Sequence, residues 1–156
     1  MEERRLARGR GLTFRAYCYN AAAENTFLKR LGLAKGIVNE VSQFIESDDW
    51  IDLLRVVERQ LITGGGNGLK AIAPLAGFHW SVDDPGGGLS MLKYEVAARS
   101  DQEDARVDAR AWLLSYNRGD VEATLAIRDW LDRDGALLPS IESVAPAGAH
   151  ISQPTS

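Results

Sequence analysis

The chain has 156 residues, of which 45% are hydrophobic and 26% are charged. This composition is typical of a globular protein, and the length suits one domain with a hydrophobic core rather than two domains. No apolar run approaches the roughly 18 residues that a membrane span requires, so the sequence predicts no membrane-spanning helix.

The N-terminal segment and the net charge bear on location and partners. Residues 1–11 are basic and polar with no apolar stretch after them, unlike a secretory signal, so we expect a cytoplasmic protein. The net charge of −4 gives no overall positive field, so any contact with nucleic acid must be local. Cys18 is the only cysteine and is expected to be a buried, unreactive thiol.

One strand and two helices are predicted first. Residues 12–20 are rich in aromatic and β-branched residues and end at a turn-prone Asn, which indicates a strand. Apolar positions spaced four apart predict a helix over 21–31 that Gly32 stops, and a second helix over about 35–44. A lone strand needs partners, which another chain, a weaker segment of this chain or absent N-terminal strands would have to supply.

The middle of the chain is predicted to be helical with glycine-rich interruptions. Ser47 is expected to cap an amphipathic helix over 48–62. The glycines of 63–68 follow a helix and precede Leu-Lys-Ala, which excludes a phosphate-binding loop. A short helix over 68–78 should contain a proline and end near a glycine, and 79–91 should be a turn-rich crossing segment.

The last third is predicted to contain a long helical region and a tail. Asp101 is expected to cap a helix that continues to about residue 117, with a break at Gly119. The Pro-, Ser- and Ala-rich residues 136–156 are expected to be a disordered tail, which leaves 12–135 as the folded domain.

Asp120 is the most informative single residue in this region. With Leu113, Tyr116 and Ile127 it would share one helix face, where an unpaired carboxylate is unfavourable and needs a partner. From spacing alone, Asp120 is either the N-cap of a new helix after Gly119 or a ligand for a metal ion.

Three blocks in order resemble a known family: YCYNAAAENTFLKRLG, GLKAIAPLAGFHWSVDDPGGG and LLSYNRGDVEATLAIRDWL. They are similar to the later part of the RNase H-like exonuclease domain in bacterial proteins described as RecB-family nucleases. The Tyr116-Asn117-x-x-Asp120 pattern resembles the third motif of the four-acid (DEDD) 3′–5′ exonucleases. The resemblance implies a helix-rich α/β chain with a partial RNase H-like fold that lacks its first strands.

The resemblance also implies roles for individual residues. Asp120 and Glu24 would hold Mg²⁺ or Mn²⁺, and Tyr116 would position the attacking water, which makes these three the candidate catalytic residues. Taken alone, Glu24 would instead be an exposed first-turn acid that favours the helix dipole. The residues that would contact DNA or RNA are Asn20, Lys70 and Asn117.

The family's first motif, an Asp-x-Glu pair on the opening strand, has no counterpart on a predicted strand here. We therefore expect an incomplete metal site, no hydrolysis by the isolated chain, and a possible partner in the upstream half of such a domain. The alternative is a non-catalytic helical protein-interaction module that uses the amphipathic helix over 48–62 or the glycine-rich segment 83–88.

Overall fold

The structure is a computed structural model that describes residues 2–82 and 87–140. It has a helix-rich α/β architecture, as predicted. In chain order, the elements are α1 (Glu2–Gly9), β1 (Ala16–Cys18), α2 (Ala21–Ala34), α3 (Val38–Ile45), β2 (Trp50–Asp52), α4 (Leu53–Gln60), α5 (Leu69–Ile72), a 3-10 helix (Ala73–Ala76), α6 (Gly87–Arg99), α7 (Glu103–Asp134) and a second 3-10 helix (Gly135–Leu137). None of the described helices has the length and apolar character to span a membrane.

The sheet of the described residues consists of two short parallel strands. Tyr17 of β1 is paired with Ile51 of β2, and Cys18 is paired with Asp52. The predicted strand is therefore present, but only its residues 16–18 pair. The helix predicted over 48–62 is wrong in its first part, because Trp50 and Ile51 pair with β1 instead of beginning a helix. A weaker segment of the same chain thus supplies the partner for β1.

The Asp52 carboxylate organises the ends of both strands. It accepts a hydrogen bond from the Leu54 backbone N–H at 3.1 Å and is the N-cap of α4, so the expected cap at Ser47 is wrong. It also accepts the backbone N–H groups of Asn20 at 2.9 Å and Ala21 at 3.0 Å. Free N–H groups at a helix start need such acceptors. One side chain therefore fixes the starts of α2 and α4 together.

Helix α7 runs without interruption through Gly119, so the predicted break is wrong, and of the two alternatives for Asp120 the N-cap is excluded. Its buried residues are Ala109, Gly119, Ala123 and Ile127, and the last three recur every four residues along one face. This face packs into the hydrophobic core, whose buried members are Tyr19, Leu53, Val57, Ile72, Ala73, Ala123 and Ile127. Tertiary packing on this face outweighs the tendency of Gly119 to end a helix.

Other predicted boundaries shift for local reasons. Gly32 lies inside α2 instead of stopping it. Its lack of a side chain leaves room for α3, since a Cβ there would come within 2.9 Å of Val41 Cγ2. The short helix before Gly77 is confirmed as α5 and a 3-10 turn. Helix α6 occupies part of the segment expected to be turn-rich, and α7 follows an N-cap at Gln102 rather than Asp101. The expected disorder of the tail falls mostly on 141–156, which lie outside the described residues, as do 83–86.

The basic N-terminal segment forms α1 and is attached to the sheet by one acid. Arg4 Nε lies 2.5 Å and Arg8 Nη2 lies 2.7 Å from Asp49 Oδ2, just before β2. The hydrogen bond from Arg4 is the main reason why the pKa of Asp49 is lowered, with the charge of Arg8 adding to the effect. The ring centroids of Phe44 and Trp50 lie 5.5 Å apart, which places α3 beside β2.

We predict that Asp49→Asn destabilises the protein near neutral pH and less so in acid. A carboxyl whose pKa is lower in the folded state stabilises that state above its unfolded pKa, near 3.9, and loses this contribution as pH falls through the folded value. The free energy of unfolding should therefore differ between the two proteins at pH 7, and the difference should shrink as pH falls below about 4. A difference independent of pH would contradict this assignment.

We predict that Asp52→Ala lowers the free energy of unfolding by about 2–3 kcal/mol, because a helix cap contributes about 1 kcal/mol and hydrogen bonds to a charged acceptor contribute more. Urea denaturation followed by circular dichroism measures the change. Asp48→Ala is the matched control, because Asp48 is exposed and its loss should cost at most about 0.5 kcal/mol. Equal losses in the two variants would refute the capping role.

Candidate functional site

A cavity of about 450 Å³ lies between β1, the first turn of α2 and the middle of α7. It is partly open to solvent and has both apolar and charged walls. The lining residues are Arg15, Ala16, Tyr17, Cys18, Tyr19, Glu24, Trp50, Leu69, Asp120, Val121, Thr124, Leu125 and Arg128. Two acids and two arginines are thus gathered around one concave surface.

Helix α7 divides its faces between the core and this cavity. Gly119, Ala123 and Ile127 face the core, and the adjacent row, formed by Asp120, Thr124 and Arg128, lines the cavity. Rows that differ by one residue are rotated by about 100° on a helix. The predicted apolar face is therefore correct at Ile127 but not at Asp120, which lies at the border between core and cavity.

Glu24 has an unsatisfied polar atom in this cavity. It lies in the first turn of α2, as predicted, but it is half-buried rather than exposed. Its Oε2 is buried and accepts no hydrogen bond from the described residues. Leaving a buried carboxylate oxygen without a partner is unfavourable, so this atom is suited to binding a ligand supplied from outside the chain.

Asp120 has one side-chain partner among the described residues. Its Oδ1 accepts a hydrogen bond from Trp80 Nε1 at 2.9 Å. The Asp120 carboxylate is half-buried and faces the same cavity as Glu24. Among the described residues, no backbone N–H donates to this carboxylate, and Asp120 lies inside the continuous helix α7, which removes the capping explanation.

The two arginines complete the charged wall. Arg15 is exposed, while Arg128 is half-buried, with its guanidinium 5.5 Å from the Tyr17 ring centroid and its Nε bonded to Asp129 at 2.8 Å. Within residues 2–82 and 87–140, neither Glu24 nor Asp120 forms an ion pair with them. Separate positive and negative groups in one cavity are suited to a phosphate that is bound together with a cation.

Tyr116 lies one helical turn before Asp120 but does not line the cavity. Its hydroxyl accepts a hydrogen bond from Lys70 Nζ at 3.3 Å, and its ring stacks on Trp112 with centroids 5.3 Å apart. The structure thus brings together Lys70, which was predicted to contact nucleic acid, and Tyr116, which was predicted to position water. The exposed Asn117 on the same helix is also outside the cavity lining.

Asn20 adopts a left-handed backbone conformation at the start of α2, with φ of 66°. Asn tolerates this region better than most residues. Its backbone N–H is bound by Asp52, and its exposed side chain makes no capping hydrogen bond. The turn brings the chain from β1 directly into α2, which places Glu24 one turn later beside the cavity.

Two other groups at the cavity wall, the Cys18 thiol and the Tyr19 hydroxyl, are unreactive near neutral pH. Burial, with a smaller contribution from Asp52, raises the pKa of the Cys18 thiol to about 12, so it is protonated at neutral pH. The same causes raise the pKa of Tyr19 to about 12, and its hydroxyl donates to the Asn67 carbonyl at 2.5 Å. Neither group is a nucleophile near pH 7, as the sequence predicted for Cys18.

The acids fit part of a divalent-ion site. No group of three or more His, Cys, Asp or Glu side chains that could hold a metal ion occurs in the described part of the chain. Mg²⁺ is commonly bound by one or two carboxylates with water and phosphate oxygens as its other ligands. Glu24 and Asp120 supply two carboxylates to one cavity, and Glu24 Oε2, which has no partner among the described residues, is available as a ligand atom.

The sequence analysis missed Arg15, Arg128, Asp52 and Trp80. One signal for Trp80 was present, because a glycine inside a helical pattern often marks the close approach of another group. A Cβ on Gly119 would lie 2.6 Å from Trp80 Cδ1. The other three residues had no comparable signal in the spacing of the sequence.

Comparison with known families identifies the chain. No curated protein and no solved structure matches it. A family model described as the RNase_H superfamily matches residues 12–132, which is more than half of the chain and contains both acids of the cavity. The helix-rich α/β architecture with a small parallel sheet is consistent with a partial RNase H-like fold. The chain therefore belongs to the RNase H superfamily.

Proposed function

We propose that this chain is a nuclease-type domain that binds nucleic-acid phosphodiesters together with Mg²⁺ or Mn²⁺. The observation that carries the proposal is the buried Oε2 of Glu24, which has no hydrogen-bond partner in the described part of the chain and lies in the same cavity as Asp120. Divalent ions in phosphodiester hydrolysis activate water and stabilise the leaving oxygen. In this chain, Glu24 and Asp120 would hold the ion.

The arginines support the choice of nucleic acid as the substrate class. Arg15 and Arg128 line the cavity beside the acids, although the chain as a whole is negative. Guanidinium groups bind phosphate oxygens with paired hydrogen bonds. Contact with the nucleic-acid backbone would thus be local to the cavity, and Asn20, Lys70 and Asn117 would contact the strand outside it.

Two finer statements belong to the same proposal. The chain is related to RecB-family-like, DEDD-type 3′–5′ exonucleases, with Tyr116 positioning water one turn before Asp120. Hydrolysis by the isolated chain would be absent. Glu24 and Asp120 would be the only carboxylates that the proposal gives to the ion, and the acids of the first motif would be lacking. The upstream half of such a domain would supply those acids. We propose that the assembled domain would act in DNA or RNA processing within the cytoplasm.

The interaction-module alternative receives less support. The apolar side of α4 is already used, since Leu53 is 3% exposed and Val57 is fully buried. It therefore offers no free apolar face to a partner. The glycine-rich segment named for the same role lies largely outside the described residues.

We predict that Mn²⁺ raises the melting temperature. At ten times the dissociation constant, binding adds about 1.4 kcal/mol, which corresponds to roughly 3–6 °C for a domain of this size. Asp120→Asn and Glu24→Gln should each abolish most of this shift, as measured by differential scanning calorimetry. Glu122→Gln is the matched control, because Glu122 is an exposed acid of α7 two residues from Asp120. A shift that survives both cavity substitutions would refute the metal site.

We predict that the chain binds a short labelled single strand without degrading it. Arg15→Gln and Arg128→Gln should each weaken binding and lower the slope of log affinity against log salt by about 0.7, the value for one phosphate contact on a single strand. Fluorescence anisotropy measures both quantities. Arg110→Gln, at an exposed position of α7 outside the cavity, should leave them unchanged. Robust degradation in Mn²⁺ that Asp120→Asn abolishes would contradict the proposed lack of hydrolysis.

A further inference from the structure

The indole of Trp80 is held in place by groups on both sides. Trp80 follows the first 3-10 helix, which ends at Gly77 in a left-handed conformation with φ of 78°. The edge of one ring meets the face of the other between Phe78 and Trp80, with centroids 5.1 Å apart and planes at 84°. Both rings pack against the hydrophobic core. The indole therefore has a defined orientation rather than a free choice of rotamers.

Gly119 provides the space that this orientation requires. A Cβ at this position would lie 2.6 Å from Trp80 Cδ1 and 3.1 Å from Nε1. The indole thus rests directly on the backbone of α7. Glycine inside a helix costs roughly 1 kcal/mol relative to alanine, and the close approach of Trp80 explains why glycine is suited to the middle of this 32-residue helix.

The resulting hydrogen bond engages only one oxygen of the neighbouring carboxylate. Trp80 Nε1 donates to Asp120 Oδ1 at 2.9 Å, while Oδ2 accepts no hydrogen bond from the described residues. The indole N–H is a donor only, so it cannot itself bind a cation. It fixes the rotation of the carboxylate and leaves the second oxygen for another ligand.

We infer that Trp80 is a positioning residue that holds the Asp120 carboxylate in its ion-binding orientation, with Gly119 providing the space for the indole. This inference rests on the proposed function, because it assigns Asp120 to a divalent cation. Groups that hydrogen-bond to metal ligands fix the orientation of those ligands and commonly contribute ten-fold or more to metal affinity. A purely structural role, in which Asp120 only accepts a hydrogen bond from a half-buried indole, predicts no effect on ion affinity.

The test is the Mn²⁺ dissociation constant of Trp80→Phe, measured by electron paramagnetic resonance well below the melting temperature. Phenylalanine keeps an aromatic ring against Phe78 and removes the N–H. We expect affinity to fall by about ten-fold. Trp112→Phe is the control, because Trp112 is a residue of α7 that stacks on Tyr116 outside the cavity, and the Mn²⁺ affinity of this variant should be unchanged. Equal affinity in Trp80→Phe and the unsubstituted protein would overturn the inference.

A second measurement covers the case in which Trp80→Phe does not fold. In the unsubstituted protein, Mg²⁺ should shift the indole N–H resonance of Trp80 more than those of Trp112 and Trp130, because Trp80 alone of these three donates a hydrogen bond to the proposed ligand. An unshifted Trp80 resonance in the ion-bound protein would overturn the positioning role alone. Absence of any Mg²⁺ or Mn²⁺ binding by the unsubstituted protein would overturn the proposed function and this inference together.

Gly119→Ala provides an independent check from the other side of the contact. The added methyl group would displace the indole from α7, so we expect Mn²⁺ affinity to fall although Trp80 and Asp120 are both retained. Gly135→Ala is the control, because a Cβ at that position meets nothing within 4 Å. Unchanged affinity in a folded Gly119→Ala protein would contradict the requirement for close approach.

Discussion

The face of α7 formed by Gly119, Ala123 and Ile127 is the constraint on which the rest of the structure depends. Ala123 and Ile127 are fully buried in the core, against residues from β1, α4 and α5. Small side chains let neighbouring elements approach the helix closely. Once this face is buried, the rotation of α7 is fixed, and the next row of residues must line the cavity.

The position of the second acid depends on a different interaction. Asp52 binds the first backbone N–H groups of α2 and caps α4, so both helices begin at the same end of the two-stranded sheet. Glu24 lies one turn into α2 and therefore faces the cavity between the sheet and α7. The two acids come from distant parts of the sequence, and each is placed by its own set of contacts.

The cavity combines features that usually occur separately. Its acids form no ion pairs with its arginines within the part of the chain that the structure describes, and one carboxylate oxygen is buried without a partner. Such an arrangement is unfavourable in an empty site and becomes favourable when a cation and an anion bind together. The chain belongs to the RNase H superfamily, and the proposed function interprets this electrostatic arrangement as a site for metal ions and phosphodiesters.

The sequence by itself determined the fold class, the first strand and the short helix before Gly77. These depend on local composition, on spacing and on motif resemblance, all of which lie within short segments. It also predicted Glu24 as the companion of Asp120, and both acids line one cavity.

Only the tertiary structure decided which segment pairs with β1, that α7 continues through Gly119, and which helix face is buried. The helix predicted over 48–62 begins as a strand because Trp50 and Ile51 each gain a partner 34 residues away in the chain, as their pairing with Ala16 and Tyr17 shows. Asp120 accepts a hydrogen bond from Trp80, which is 40 residues away in the sequence. Contacts over such separations depend on packing that no local pattern encodes, and for this reason the sequence identified the acid but not the group that holds it.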